Sequence, residues 1–334
     1  MKKITITDVA KHAGVSKSTV SQYLNERYDY MGGETKARIE AAIKELNYSP
    51  NFLARSLKQK KTNTIGVIVA NILHVFSTQI IRAIQDYCSE RNFHVIACNA
   101  DDDPRKEKQF IEMLQAKQVD GIIVFPTGAN KSLYQTLIMT NYPTVFIDRM
   151  VSGVGIDTVL LDNEKASKLA IQTFLMQGYQ RIAMISPPLL PNITPRMERT
   201  TGYKQTITEN GLSLRPEYIA NVETTNVRDH LRKMLALREP PDAMLALNDL
   251  VLVEILHYMK ENQLQIPKDL AIIGIDDVTF ASVYNPALTT IAQPAFAMGK
   301  KAAELLLEKI SNITKRREGI VYRFEPKIMR RDSV

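Results

Sequence analysis

A chain of 334 residues, 45% hydrophobic and 24% charged, is long enough for two or three domains and a sizeable core. No run approaches ~18 uninterrupted apolar residues, which excludes a membrane-spanning helix. Met1-Lys2-Lys3 leads into polar, helix-like sequence rather than a secretory leader, and two cysteines, Cys88 and Cys98, are too few for a zinc site or a disulfide framework, as fits a reducing cytoplasm. The net charge of +7 is unevenly placed: residues 1–61 carry 12 Lys and Arg against 6 Asp and Glu, and the remainder is nearly neutral. A basic amino-terminal module on a neutral body is the electrostatic footprint of a nucleic-acid-binding protein.

The basic module reads as three short helices. Thr5-Ile6-Thr7-Asp8 has the form of a capping box, and Ile6, Val9, Ala10 and Ala13 follow at helical spacing. Gly14 can take the left-handed backbone that a tight turn requires. Ser16 then caps a second helix from Lys17 to about Asn25, with Val20 and Leu24 on one face. Ala10 is small enough to let the two helices cross closely, giving a helix-turn-helix. The polar face of the second helix carries Ser16, Lys17, Ser18, Ser21 and Gln22 near its N-terminus, where free N–H groups favour phosphate and side chains reach base edges. An ordinary capped surface helix would look the same.

A third helix, about Glu34 to Leu46, closes a miniature core. After Tyr48-Ser49-Pro50, residues 51–58 (Asn51, Phe52, Leu53, Ala54, Arg55, Ser56, Leu57, Lys58) form a helix too short to stand alone in water. It forms only against a partner or DNA.

The strings Thr7-Asp8-Val9-Ala10, Ala13-Gly14-Val15-Ser16, Thr19-Val20-Ser21, Leu46-Asn47-Tyr48-Ser49-Pro50-Asn51 and Ala54-Arg55-Ser56-Leu57 together resemble the head and hinge of the LacI/GalR family of bacterial transcription repressors. The resemblance implies that Lys17, Ser18 and Gln22 read the major groove, and that Leu57 wedges into the central minor-groove step from a hinge helix. Gln22 stands where family members commonly carry Arg.

From Thr64 the pattern alternates strand and helix. Strand-like runs are Ile65–Ala70, His94–Cys98, Gly121–Phe125 and Thr144–Ile147, with helices such as 78–91 and 103–117 between them. A second series comprises Thr158–Leu161, Arg181–Ser186, Ala243–Leu247 and Ala271–Ile275, with helices near 164–177, 195–210, 228–238 and 249–262. Apolar strands separated by helices give parallel sheets covered on both faces, here in two doubly wound halves. Neither half carries a dinucleotide-binding GxGxxG, a phosphate-binding loop, a nucleophile elbow or a metal-spaced His/Cys set. No catalytic residue, metal or cofactor is therefore expected.

Open α/β sheets bind ligands beyond the carboxyl ends of their strands. Those positions hold Asn71, His74 and Phe76 after the first run, Thr127 after the third, Asp148 and Arg149 after the fourth, Asn248 (in the string ending Asn248-Asp249) and Asp276. Arg196 and Arg199 lie early in a helix. Any one of these, Asn248 and Asp148 above all, could be a helix cap. Their coincidence at strand ends points to a polar cleft for a hydroxyl-rich ligand.

The body also resembles the family, whose regulatory domain is like a type I periplasmic sugar-binding protein. The resemblance implies that Arg199, in Arg199-Thr200-Thr201-Gly202-Tyr203, grips effector hydroxyls, that Asn248 and Asp276 are effector positions, and that Leu288-Thr289-Thr290-Ile291 crosses back to the first lobe. The expected architecture is an all-α helix-turn-helix head (1–49), a hinge helix and linker (50–62) and an α/β periplasmic-binding-protein type I body (63–334). The body comprises an N-lobe of about 63–160 plus 293–318 and a C-lobe of about 161–292 plus 319–334. A chain ending at Val334 without a leucine heptad fits a homodimer rather than a tetramer. The strings 21–25 and 71–76 look most like repressors of pectin and hexuronate catabolism, which respond to 2-keto-3-deoxygluconate. The expected function is a repressor that binds a pseudo-palindromic operator and is governed by a small sugar or sugar-acid effector. A catabolite regulator using a phosphorylated carrier protein as corepressor, and a free-standing sugar-binding protein, are the alternatives.

Overall fold

The computed structural model describes residues 4–29, 31–48, 62–190, 193–312 and 319–334. The chain divides into two compact units, residues 1–62 and 63–334. In the first, α1 (Ile6–His12), α2 (Lys17–Leu24) and α3 (Gly33–Glu45) enclose a core of Val9, Ala10, Ala13, Val20, Ile39 and Ala42. The capping box forms as its residues require: the Asp8 N–H meets the Thr5 hydroxyl and the Asp8 carboxylate accepts from the Thr5 N–H. Gly14 turns the chain at φ +63°, and Ser16 accepts from the Thr19 N–H at 3.1 Å to start α2. His12 reaches Glu45 at 2.6 Å, tying α1 to α3.

The second unit contains two six-stranded sheets. Its elements are β1 (Thr64–Val69), α4 (Val75–Ser89), β2 (His94–Asn99), α5 (Pro104–Ala116), β3 (Gly121–Val124), α6 (Lys131–Met139), β4 (Thr144–Ile147), β5 (Thr158–Leu161), α7 (Asn163–Met176), β6 (Ile182–Ser186), α8 (Thr194–Glu209), β7 (Ile219–Asn221), α9 (Val227–Leu235), β8 (Ala243–Ala246), α10 (Asp249–Glu261), β9 (Ala271–Ile275), β10 (Thr289–Ala292), α11 (Ala295–Ser311), β11 (Val321–Phe324) and β12 (Lys327–Met329). The first sheet runs β11-β5-β4-β3-β1-β2 and is parallel throughout. The second runs β12-β10-β9-β8-β6-β7, with only β12 antiparallel. The central strands are buried from end to end, which is why they read as continuous apolar runs rather than alternating ones.

Two expectations are corrected. Thr158–Leu161 opens no second series; as β5 it pairs with β4 in the first sheet. Residues 319–334 do not all belong to the second lobe either. Val321–Phe324 pairs with β5 in the first sheet, Val321 opposite Thr158, and only β12 and the residues after it join the second. A buried carboxylate helps to hold this pairing: Asp157 Oδ1 accepts from the Ile320 N–H at 2.7 Å, and its other oxygen lies 2.9 Å from Lys309 Nζ. The chain thus passes between the lobes three times, after β5, after β10 and between β11 and β12. Among the described residues no helix is long and apolar enough to cross a membrane.

Candidate ligand cleft and nucleic-acid interface

The carboxyl ends of both sheets face one open cavity lined by side chains from both lobes, the place where open α/β sheets take their ligands. Of the positions read from the sequence, Asn71, His74, Phe76, Asp148, Arg149, Arg196, Arg199, Asn248 and Asp276 line it. Thr127 does not. The loop after β3 folds back onto α5, where the buried Glu107 accepts from the Thr127 N–H at 2.6 Å and from Asn130 Nδ2 at 2.7 Å. Phe125 takes the place at that strand end, with its ring edge-on to Phe76 at 6.4 Å.

Backbone geometry sets the two wall aspartates. Asp148 (φ 67°) and Asp276 (φ 87°) both adopt left-handed backbone at the ends of β4 and β9, a conformation that non-glycine residues hold only when the surroundings impose it. Burial pushes both carboxyls above the usual carboxylate range, against the opposing pull of Arg149 and Arg199 on Asp148 and of Arg199 on Asp276. Gln293 Nε2 donates to Asp276 at 2.5 Å. Asn248 is a helix cap and a wall residue at once: its Oδ1 accepts from the Val251 N–H at 2.9 Å at the start of α10, and it lines the cavity.

The arginines differ in how far they are committed. Arg199 is 5% exposed; its Nε donates to Asn163 Oδ1 at 2.9 Å and its Nη1 to the Leu247 carbonyl at 2.7 Å. Both partners are neutral, so its charge is left to Asp148 and Asp276. Arg149, from the first lobe, and Arg196, from the second, both bind Asp102, at 2.6 Å and 3.2 Å. Burial works against charge on Asp102, yet the Arg149 and Arg196 guanidiniums hold its carboxyl below the usual range.

A second carboxylate joins the lobes beside the cavity. Asp249, at the start of α10, accepts from the Val75 N–H at 2.9 Å and lies 2.5 Å from His74 Nδ1. It therefore caps α4 from the opposite lobe, where the helix dipole favours a negative charge. Burial lowers the His74 pKa, but the bond to Asp249 and the surrounding carboxylates outweigh it and leave the imidazole above its ordinary value.

Asp102, Gln293 and the role of Asp249 escaped the sequence reading. Asp102 carried a usable signal, since it lies three residues past the carboxyl end of β2. In the head, Ser16, Lys17, Ser18 and Gln22 are exposed and Ser21 is half-buried on the outer face of α2. Asn51, Ala54, Arg55, Leu57 and Lys58 lie outside the described residues. Among the described residues no cluster of His, Cys, Asp or Glu could hold a metal ion.

A helix-turn-helix unit on the same chain as a two-lobed α/β body with a polar interlobe cleft defines a class: DNA-binding regulators with a ligand-binding domain. Residues 5–51 match the model of bacterial regulatory proteins of the lacI family, and residues 171–334 match the periplasmic binding protein-like domain. The probable regulator EndR of Paenibacillus polymyxa is 46% identical over 333 residues, covering 99% of this chain and 98% of that protein. The regulator KdgR of Bacillus subtilis is 37% identical, covering 92% and 91%, and the ribose operon repressor of Escherichia coli is 34% identical, covering 98% and 99%. A Lac repressor structure bound to ONPG in the repressed state superposes with a TM-score of 0.87 at 27% identity, over 100% of both chains. The chain belongs to the LacI family of transcriptional regulators; it is a DNA-binding repressor and not an enzyme.

Proposed function

We propose that this protein is a dimeric, cytoplasmic repressor whose hold on a pseudo-palindromic operator is set by a small sugar acid bound between the lobes, acting as an inducer. The observation that carries the effector reading is the cavity wall. Arg149, Arg196 and Arg199 meet Asp148, Asn248 and Asp276 in one interlobe space. Guanidinium forks match a carboxylate bidentately, and the aspartates and Asn248 accept hydroxyl hydrogens. In this reading Ser16, Lys17, Ser18, Ser21 and Gln22 face the major groove. Asn51, Ala54, Arg55, Leu57 and Lys58 form the hinge at the minor groove, with Leu57 as its wedge.

A ligand shifts the balance of two states only by its differential affinity for them, so the effector must bind more tightly to the state with low operator affinity. The resemblance to repressors of hexuronate catabolism makes 2-keto-3-deoxygluconate the first acid to try. Calorimetry on the full chain with this acid, D-gluconate and the neutral polyol D-glucitol, paired with operator binding, tests the reading. The acids are expected to bind more tightly than the polyol and to weaken operator binding, and Arg199→Ala to lose affinity for both acids. Tighter polyol binding, or operator affinity indifferent to the acids, overturns it.

A further inference from the structure

We infer that Asp102 is the residue that sets the charge preference of the cleft, by standing as an internal carboxylate between two arginines from opposite lobes. The inference rests on the sugar-acid reading of the cavity and adds to it a residue that selects the ligand. Arg149 Nη1 lies 2.6 Å from one Asp102 oxygen and Arg196 Nη2 lies 3.2 Å from the other. One carboxylate therefore bridges two guanidiniums. Among the described residues Arg149 has a second, longer ion pair with Asp148, at 3.5 Å. Arg196 otherwise donates to the carbonyl of Pro188, at 3.1 Å, which carries no charge.

The backbone fixes Asp102 in place. Asp101 and Asp102 are consecutive non-glycine residues in left-handed conformation, at φ 52° and 55°. The Asp102 N–H donates to the carbonyl of Ala70, at 2.7 Å, which pins the turn to the end of β1. Asp103 caps α5 through the Arg105 N–H. The turn so held sends the Asp102 side chain to Arg149 of its own lobe and Arg196 of the other.

A ligand carboxylate entering the cavity meets Arg149 and Arg196 already bridged. It is attracted by both guanidiniums, but competes with Asp102 for their hydrogens. Asp102 thus moderates the affinity for acids and leaves polyols, which have no charge to offer, almost untouched. Beside this bridge, two further contacts among the described residues tie the first turns of α8 to the opposite lobe. The Met150 N–H donates to Thr194 Oγ1 at 2.9 Å, and Arg323 grips Glu198 at 2.6 and 3.0 Å. An acid that draws Arg196 away from Asp102 loosens that turn.

The test is calorimetry on the full chain with D-gluconate, 2-keto-3-deoxygluconate and D-glucitol, using wild type, Asp102→Asn and Arg196→Gln. Asp102→Asn is expected to raise affinity for both acids about tenfold, with little change for glucitol, because two guanidiniums are freed for charge-assisted bonds. Arg196→Gln is expected to bring the acids down toward the polyol, and it stands as the test on its own should Asp102→Asn fail to fold. If wild type binds no acid and Asp102→Asn does, Asp102 is the selector and the sugar-acid effector reading fails. If wild type binds the acids and the acid-to-polyol ratio is the same in all three proteins, Asp102 is no selector, and the effector reading stands.

Discussion

At the residue scale, His74 and Asp249 give a pH dependence whose sign can be worked out. His74 and Asp249 belong to opposite lobes, and each is shifted toward its charged form: the imidazole above its ordinary 6.5, the carboxyl below its ordinary 3.8. A raised histidine contributes stability that is fully present below 6.5 and is lost as the pH rises through the raised value. A depressed aspartate contributes stability present above 3.8 and lost as the pH falls through the depressed value. The difference in melting temperature between wild type and His74→Gln should therefore be largest across the mildly acidic range and shrink toward alkaline pH. A difference that grows with rising pH would contradict the assignment. In the head, Gln22 is exposed on α2, and an amide can bond adenine N6 and N7 together. Gln22→Ala is expected to cost ~1–3 kcal/mol at one symmetric pair of operator positions. A loss uniform across all operator sequences would make Gln22 a backbone contact instead.

Elements are placed by where side chains are missing as much as by where they pack. Gly202 sits inside α8, a poor position for glycine on helix propensity alone. A Cβ there would lie 2.5 Å from the Glu164 carbonyl oxygen and 2.7 Å from its Cα, so the glycine lets α8 press against the backbone of α7. That approach seats Arg199 one turn earlier, where its carbonyl accepts from the Ser167 hydroxyl at 2.7 Å. Gly202→Ala gains up to ~1 kcal/mol of helix propensity and meets rigid backbone, so overpacking of ~1–3 kcal/mol should win. Denaturant melts should show net destabilisation together with weaker effector binding; unchanged stability would mean that α7 moves aside freely. Gly299 does the same for α11 on α4, where a Cβ would stand 2.8 Å from Ala83 Cβ.

Over the whole molecule, charge and ligand sites are divided between the two units. The excess of basic residues lies in residues 1–61, and the cavity lies wholly within residues 63–334. Operator affinity should fall steeply as salt rises, because each neutralised phosphate releases counterions. A chain lacking residues 1–62 should lose operator binding and keep effector binding, since its sheets and cavity draw on none of the deleted residues. A truncated chain that still holds the operator, or affinity insensitive to salt, would sink this division of labour.

Much of this was legible in the chain itself. Thr5, Gly14 and Ser16 act within a few residues of their own positions, so the ends of α1 and α2 could be read directly. The central strands are apolar because both faces are covered, and runs such as Gly121–Val124 and Thr144–Ile147 declare that burial without reference to any partner. The strand-end rule then located most of the cavity wall, because in a parallel sheet the carboxyl ends share one edge. What depends on distant partners was not legible. Val321–Phe324 alternates exposed and half-buried residues, the pattern of an edge strand that either sheet could accept, and its place beside β5 rests on distant partners, the buried Asp157 carboxylate and the backbone of Thr158 and Asp162 among them. Thr127 obeys the strand-end rule and still faces away, because Glu107, 20 residues earlier, draws its loop down. Asp102, Asp249 and Gln293 become wall residues or interlobe ties only when the lobes come together. Local chemistry and periodicity specify elements and their ends. Pairing between residues far apart in the chain is settled by giving each buried polar or charged group a hydrogen-bond partner, and those partners meet only in the folded molecule.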